Sequence, residues 1–224
     1  MSFFEPPPPP PEREEPEHPV WLGPADNVLG TPFPLTLLLV RTESVAIQLQ
    51  HGLAFPTGFE FSLHIVWRRE RRGRDGDPIH RWMMNRHGGD PLAREVLRFG
   101  VEFADGRKAT VFDRRPFQVE GTPEGPVLMQ RGGGGGDRRY DVRFWVWPLP
   151  PTGPFAFVAE WPSEGVDLTR VEVESGPILE AASTAEELWT GGRPSGGGSL
   201  STHIMTRQVE SEPPRSSEGQ QPGS

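Results

Sequence analysis

The sequence predicts an all-β fold, an antiparallel β-sandwich of about eight strands with one C-terminal helix. Three observations point to it. Apolar and polar residues alternate with a period of two through most of the middle of the chain. Turn signals rich in Gly, Pro and Asp separate the alternating runs. No stretch before residue 176 holds apolar residues at helical spacing. Residues 20–190 are expected to form a single β-sandwich domain. The flanking segments, 1–19 and 191–224, read as disordered tails. The first carries the unbroken run Pro6 to Pro11, and the second is rich in Gly, Ser and Pro. Neither holds enough apolar surface to offset the entropy of ordering.

The strands follow in order. A first is expected near 34–41. In the second, Val45, Ile47 and Leu49 alternate with Ala46, Gln48 and Gln50. In the third, Phe59, Phe61, Leu63, Ile65 and Trp67 form the buried phase, and Glu60, Ser62, His64 and Val66 the outer, solvated phase. Leu97, Phe99, Val101 and Phe103 define a fourth strand, and residues 107–112 return from it. The turn between these two can be resolved. A two-residue Asp105-Gly106 loop would pair Phe103 with Lys108, mixing core and solvent phases. A three-residue loop with Gly106 left-handed pairs Val101 with Ala109 and sets Glu102 opposite Lys108. The second register is the expected one. Further strands are expected at 126–130, 138–147, 154–161 and 169–174. Gly132 to Gly136 reads as a flexible hairpin loop before 138–147. Pairing should stop at Pro148, which has no N–H to donate.

Phe144 to Trp147 and Phe155 to Val158 are apolar on both phases, so both strands should be covered on two sides. The helix is the expected second cover. Ser175, Gly176 and Pro177 supply its start. Ile178, Ala182, Ala185, Leu188 and Trp189 fall on one stripe, and Gly191 and Gly192 end it.

Composition excludes several classes. There is no cysteine, hence no disulfide and no thiolate metal site. No apolar run approaches the ~18 residues of a membrane span. No signal peptide opens the sequence, which suggests a cytoplasmic protein. The net charge of −8 is uneven. Residues 68–143 carry 17 basic and 12 acidic groups, whereas both flanks are acidic. An acidic chain is a poor general partner for nucleic acid, with that middle third as a local exception.

The Gly-rich run, Trp147-Pro148-Leu149-Pro150-Pro151, Glu160-Trp161-Pro162, Ala181-Ala182 and Leu188-Trp189 together resemble an actinobacterial protein family without an assigned activity. The resemblance covers roughly residues 30–190. It implies a cytoplasmic protein and supplies no site residue.

Candidate chemistry is sparse. The glycine run lacks the Lys and Ser or Thr of a phosphate loop. His80 and His87, near Asp75, Asp77 and Asp90, match no metal-ligand spacing and sit among arginines. Ser62, His64 and Glu60 project side by side rather than converging as a triad must. His51 and His203 show no partner that suggests chemistry. No catalytic residue, metal or cofactor is assigned. The one charge constellation is the Arg-rich stretch 68–87, with seven arginines against three acids. There Arg68, Arg69, Arg71, Arg72, Arg74, Arg81, Trp82 and Arg86 are the candidate contacts for an anion, with Trp82 offering a face for stacking.

The expected function is a non-enzymatic interaction module that binds an unknown protein partner or its own copies through an open sheet edge. One alternative is anion or nucleic-acid binding through 68–87. Another is a small-ligand binder or enzyme with a pocket at one end of the sandwich.

Overall fold

The computed structural model describes residues 19–70, 90, 92–113 and 121–189. The two tails expected to be disordered, and all but the root of the Arg-rich stretch, lie outside the described residues.

Alternation in the sequence becomes strand after strand. In chain order they are β1 (Val28–Leu29), β2 (Thr31–Arg41), β3 (Val45–Phe55), β4 (Gly58–Trp67), β5 (Arg98–Glu102), β6 (Lys108–Thr110), β7 (Val127–Gly136), β8 (Arg139–Trp147), β9 (Pro154–Trp161), β10 (Val166–Glu174) and β11 (Glu186–Glu187). The helix α1 (Gly176–Ser183) lies between the last two. One sheet has the order β2-β3-β4-β8-β7 and the other β10-β9-β5-β6. Pairing is antiparallel throughout. β1 and β11 pair separately as a short ribbon. Among the described residues nine strands form the two sheets and two more the ribbon, where about eight were expected, and the class is unchanged.

The sheets pack face to face through aromatic rings, as an all-β sandwich does. Phe61 of the five-stranded sheet meets Phe157 of the other at 5.1 Å between centroids. Phe144 meets Phe99, Phe59 meets Phe155, and Trp67 meets Trp161 edge-on. Phe59, Phe61, Leu63, Ile65 and Trp67 are all buried, so the phase read for β4 holds. The β5–β6 register is the one expected. Val101 faces Ala109, Glu102 faces Lys108, and Gly106 has φ +82°.

The helix departs from expectation in extent and placement. It ends at Ser183, and residues 186–187 are extended against β1. Asn27 draws the chain away from helix. Its carbonyl accepts from Leu188 N, and its side chain donates to Glu187 Oε1 and to the carbonyl of Trp189. Ala185 therefore leaves the stripe, and Trp189 is 70% exposed. Ser175 occupies the N-cap without capping. Its Oγ accepts from Gly153 N instead.

Ile178, Ala181 and Ala182 bury α1 against β2 and β3, so the helix is not the second cover of β8 or β9. The outer face of β8 is covered from the other end of the chain. Trp21, with Phe55, Val127 and Met129, packs on Trp145 as a second apolar cluster. On the outer face of β9, Ala156 stands between Glu102 and Glu172, which Lys108 and Arg170 pair at that surface.

Candidate functional site

The outer face of the five-stranded sheet, beyond the Trp21 cluster, is polar. Glu60, Ser62 and His64 of β4 stand beside Asp141 and Arg143 of β8 by register. β7 flanks them.

β7 corrects the reading of the glycine run. Gly132 to Gly136 form a strand paired residue by residue to β8, and the turn falls at Asp137-Arg138. Two of the glycines are forced. A Cβ on Gly135 would lie 2.1 Å from the Arg139 carbonyl oxygen, and one on Gly133 would lie 2.8 Å from that of Asp141. Tyr140, buried opposite Gly135, fills the space instead. On the outer face, Gly134 and Gly136 look into open space.

This makes β7 an unusual edge. Among the described residues no strand pairs with its far side. The other edges are each protected in ways natural sheets use. β2 carries Pro32 and Pro34 and two register shifts. β6 has three residues. β10 carries Asp167, Arg170, Glu172 and Glu174, with a shift near its start. From Gly132 to Gly136 β7 presents backbone with no side chain, no proline and no charge.

Beside this strand a chain of polar groups crosses the sheet. His64 Nδ1 hydrogen-bonds Asp141 Oδ1. Arg139 Nε donates to both carboxylate oxygens of Asp141, at 2.8 and 3.0 Å. His64 Nε2 lies 3.3 Å from His51 Nδ1, with the rings 71° apart. Burial pulls the Asp141 carboxyl upward. Hydrogen bonds and charge from Arg139 and His64 together outweigh it and hold the group below the ordinary carboxylate range. An ionised Asp141 only accepts, whereas Arg139 Nη2, 2.9 Å from the same His64 Nδ1, only donates, so the two contacts favour opposite tautomers of the ring.

His64 is therefore not on a solvated face. It is 3% exposed, although its phase is the outer one. The cover is His51. Between Gln50 and Leu53 the register of β3 against β4 shifts, and His51 has φ +59°. The shift re-aims the His51 side chain onto His64, as bulges do. Alternation assigned the phase correctly, but a bulge in the neighbouring strand leaves no mark in it.

Glu60 also departs from a surface role. It is largely buried and lies 3.8 Å from Arg131, whose Nη1 donates to the Leu22 carbonyl. Burial raises the Glu60 carboxyl above its ordinary value despite opposing attraction from Arg131 and Arg143.

Of the Arg-rich candidates, Arg68 and Arg69 are described and exposed. Arg68 pairs with Glu43 at 3.1 Å, and its carbonyl accepts from Arg138 Nη2. Arg71, Arg72, Arg74, Arg81, Trp82 and Arg86 lie outside the described residues, as do His80 and His87. Among the described residues, no group of three or more His, Asp or Glu side chains is placed to hold a metal ion. No helix among them is long and apolar enough to cross a membrane. The chain matches no protein-family model, no curated protein and no solved structure.

Proposed function

We propose that the protein is a non-enzymatic cytoplasmic interaction module that self-associates through the β7 edge, two copies pairing Gly132–Gly136 antiparallel. The contrast among the four edges carries this reading. Three are protected, and the fourth offers a run of backbone donors and acceptors with no strand paired to it among the described residues. Closed two-fold pairing is the commonest way such an edge is covered.

Sedimentation velocity over a wide concentration range tests it. Gly134→Asp and Gly136→Asp fit the fold, because a Cβ at either position meets nothing within 4 Å among the described residues. Position 134 faces its own copy in that pairing and position 136 lies diagonal to it, so the double variant brings like charges together across the paired strands, which opposes pairing. The wild type should form a dimer and the double variant a monomer with an unchanged circular dichroism spectrum. A wild type that stays monomeric at every concentration sinks the proposal.

One observation favours a second reading, anion or nucleic-acid binding. The bond from Arg138 to the Arg68 carbonyl gathers Arg68, Arg69, Arg138 and Arg139 where the Arg-rich stretch leaves the sheet. Replacing residues 69–87 by a Gly-Ser linker should then abolish a salt-sensitive affinity for heparin. The absence of heparin binding by the intact chain at low salt eliminates this reading.

A further inference from the structure

A strand of glycines has no side-chain pattern, so its pairing is weakly specified. Whatever selects a partner for the β7 edge must therefore lie beside the glycine run rather than in it. Six charged residues stand on the β7–β8 hairpin: Arg131, Asp137, Arg138, Arg139, Asp141 and Arg143. Four are occupied. Arg131 donates to the Leu22 carbonyl, Arg138 to the Arg68 carbonyl, and Arg139 to Asp141. Asp137 and Arg143 are left over. Both are exposed, and among the described residues neither makes a hydrogen bond or an ion pair. The charge of Arg143 is felt by Glu60 only from further off.

The two do not meet within one copy. Asp137 follows Gly136 at the turn, whereas Arg143 stands beside Gly132. From Gly132 to Gly136 the strand advances about 13 Å, at ~3.3 Å per residue. Antiparallel two-fold pairing of the glycine runs changes the neighbours. Gly132 of one copy then faces Gly136 of the other, and Arg143 of the first comes beside the turn that carries Asp137 of the second. Arg143 already leans over the edge strand, since a Cβ at Gly132 would lie 3.6 Å from its Nη2. From there to the facing strand is one interstrand spacing of ~4.8 Å. Symmetry makes the contact twice, once at each end of the seam.

We propose that Arg143 and Asp137 form reciprocal ion pairs between two copies, and that these select a second copy of this chain as the partner of β7. The inference rests on the β7 pairing proposed above and names the groups that make it specific. Backbone hydrogen bonds accept any extended chain. Charges at the two ends of the seam discriminate, because a partner that places like charge there is rejected. Exposed ion pairs add little affinity of their own, so their role is the choice of partner.

Sedimentation velocity of the full chain at low salt provides the test. Asp137→Arg sets Arg against Arg at both ends of the seam, and Arg143→Asp sets Asp against Asp. Each variant alone should dimerise at least ~10-fold more weakly than the wild type. Mixed in equal amounts, the two should form a heterodimer about as tight as the wild-type dimer, because both contacts then join opposite charges. The same exchange made within one chain, Asp137→Arg with Arg143→Asp, should restore the homodimer. Recovery in either form also shows that the single variants are folded. If the wild type and both single variants dimerise alike, the β7 pairing stands and the ion pairs fall. Weakened variants that recover neither by mixing nor by exchange within one chain overturn the ion pairs as well. A wild type that never dimerises removes the pairing itself, and this inference with it.

Discussion

Glu60 shows how a single side chain can carry a pH dependence that its strand phase hides. Its folded-state carboxyl is raised by burial against the pull of Arg131 and Arg143. A raised carboxyl means that the folded protein holds the proton more tightly than the unfolded chain. The associated stability is complete below the ordinary value of 4.5 and is lost as pH rises through the folded value. Glu60→Gln removes that loss. The variant should melt higher than wild type at neutral pH, and the gap should close as pH falls below the ordinary carboxylate range. A gap independent of pH would mean that the Arg131 pair, rather than burial, governs the site. Glycines make a second residue-scale contrast. A Cβ at Gly58 would lie 2.3 Å from the Val146 carbonyl oxygen and 2.6 Å from the Trp145 ring, whereas at Gly134 it meets nothing. Gly58→Ala should destabilise by ~1–3 kcal/mol, as overpacking does. Gly134→Ala should be within about 0.5 kcal/mol of wild type in urea titration, as open surface sites are. Equal effects would mean that Gly58 does not lie against Trp145 and Val146 of β8. The side chains of Glu60 and His64 also mark the limit of reading phases from sequence. Alternation tells which face a residue takes, and both are on the outer face. It does not tell what lies over that face. Here Arg131 and Leu22 lie near one, and His51 and Asp141 touch the other.

At the scale of elements, local chemistry was legible where it alone decides. The β5–β6 hairpin is such a case. Only one register puts Val101 and Ala109 on the core and Glu102 with Lys108 in water, and that register forms. Its turn needs Gly106 at φ +82°. Gly106→Ala should cost ~1–2 kcal/mol, the penalty of a left-handed residue with a Cβ. Chemical denaturation measures it, and a neutral result would mean that the loop relaxes to a two-residue turn. Elements settled by distant partners were not legible. Gly132 to Gly136 have no strand propensity of their own, yet Tyr140 and the β8 backbone complete a ladder with them. The stretch after Ser183 has helical spacing, yet Asn27, far away in sequence, pairs it into a ribbon. In both, tertiary contact overrides a weak local preference.

At the scale of the molecule, the two apolar clusters should respond differently to damage. The main one is a continuous aromatic layer between the sheets. Phe61 touches the rings of Phe59, Phe99, Phe144 and Phe157, so nothing in that layer loosens alone. The second, built on Trp145, depends on Trp21 from a segment held mostly at its ends. Beyond Trp21, that segment is fastened by the Arg131 bond to Leu22 and by Asn27 to residues 187–189. A two-residue ribbon outside the two main sheets defines a unit that can open below the global transition. Trp21→Ala removes its principal anchor. Hydrogen exchange should then quicken at the ribbon amides of residues 28–29 and 186–188, while the amides of β4 keep wild-type protection. The melting transition should shift less than for a core truncation, since the inner layer is untouched. Exchange that quickened equally in β4 would show that the segment is an integral part of one cooperative core. In that case the outer-face cluster would support the sandwich rather than rest upon it.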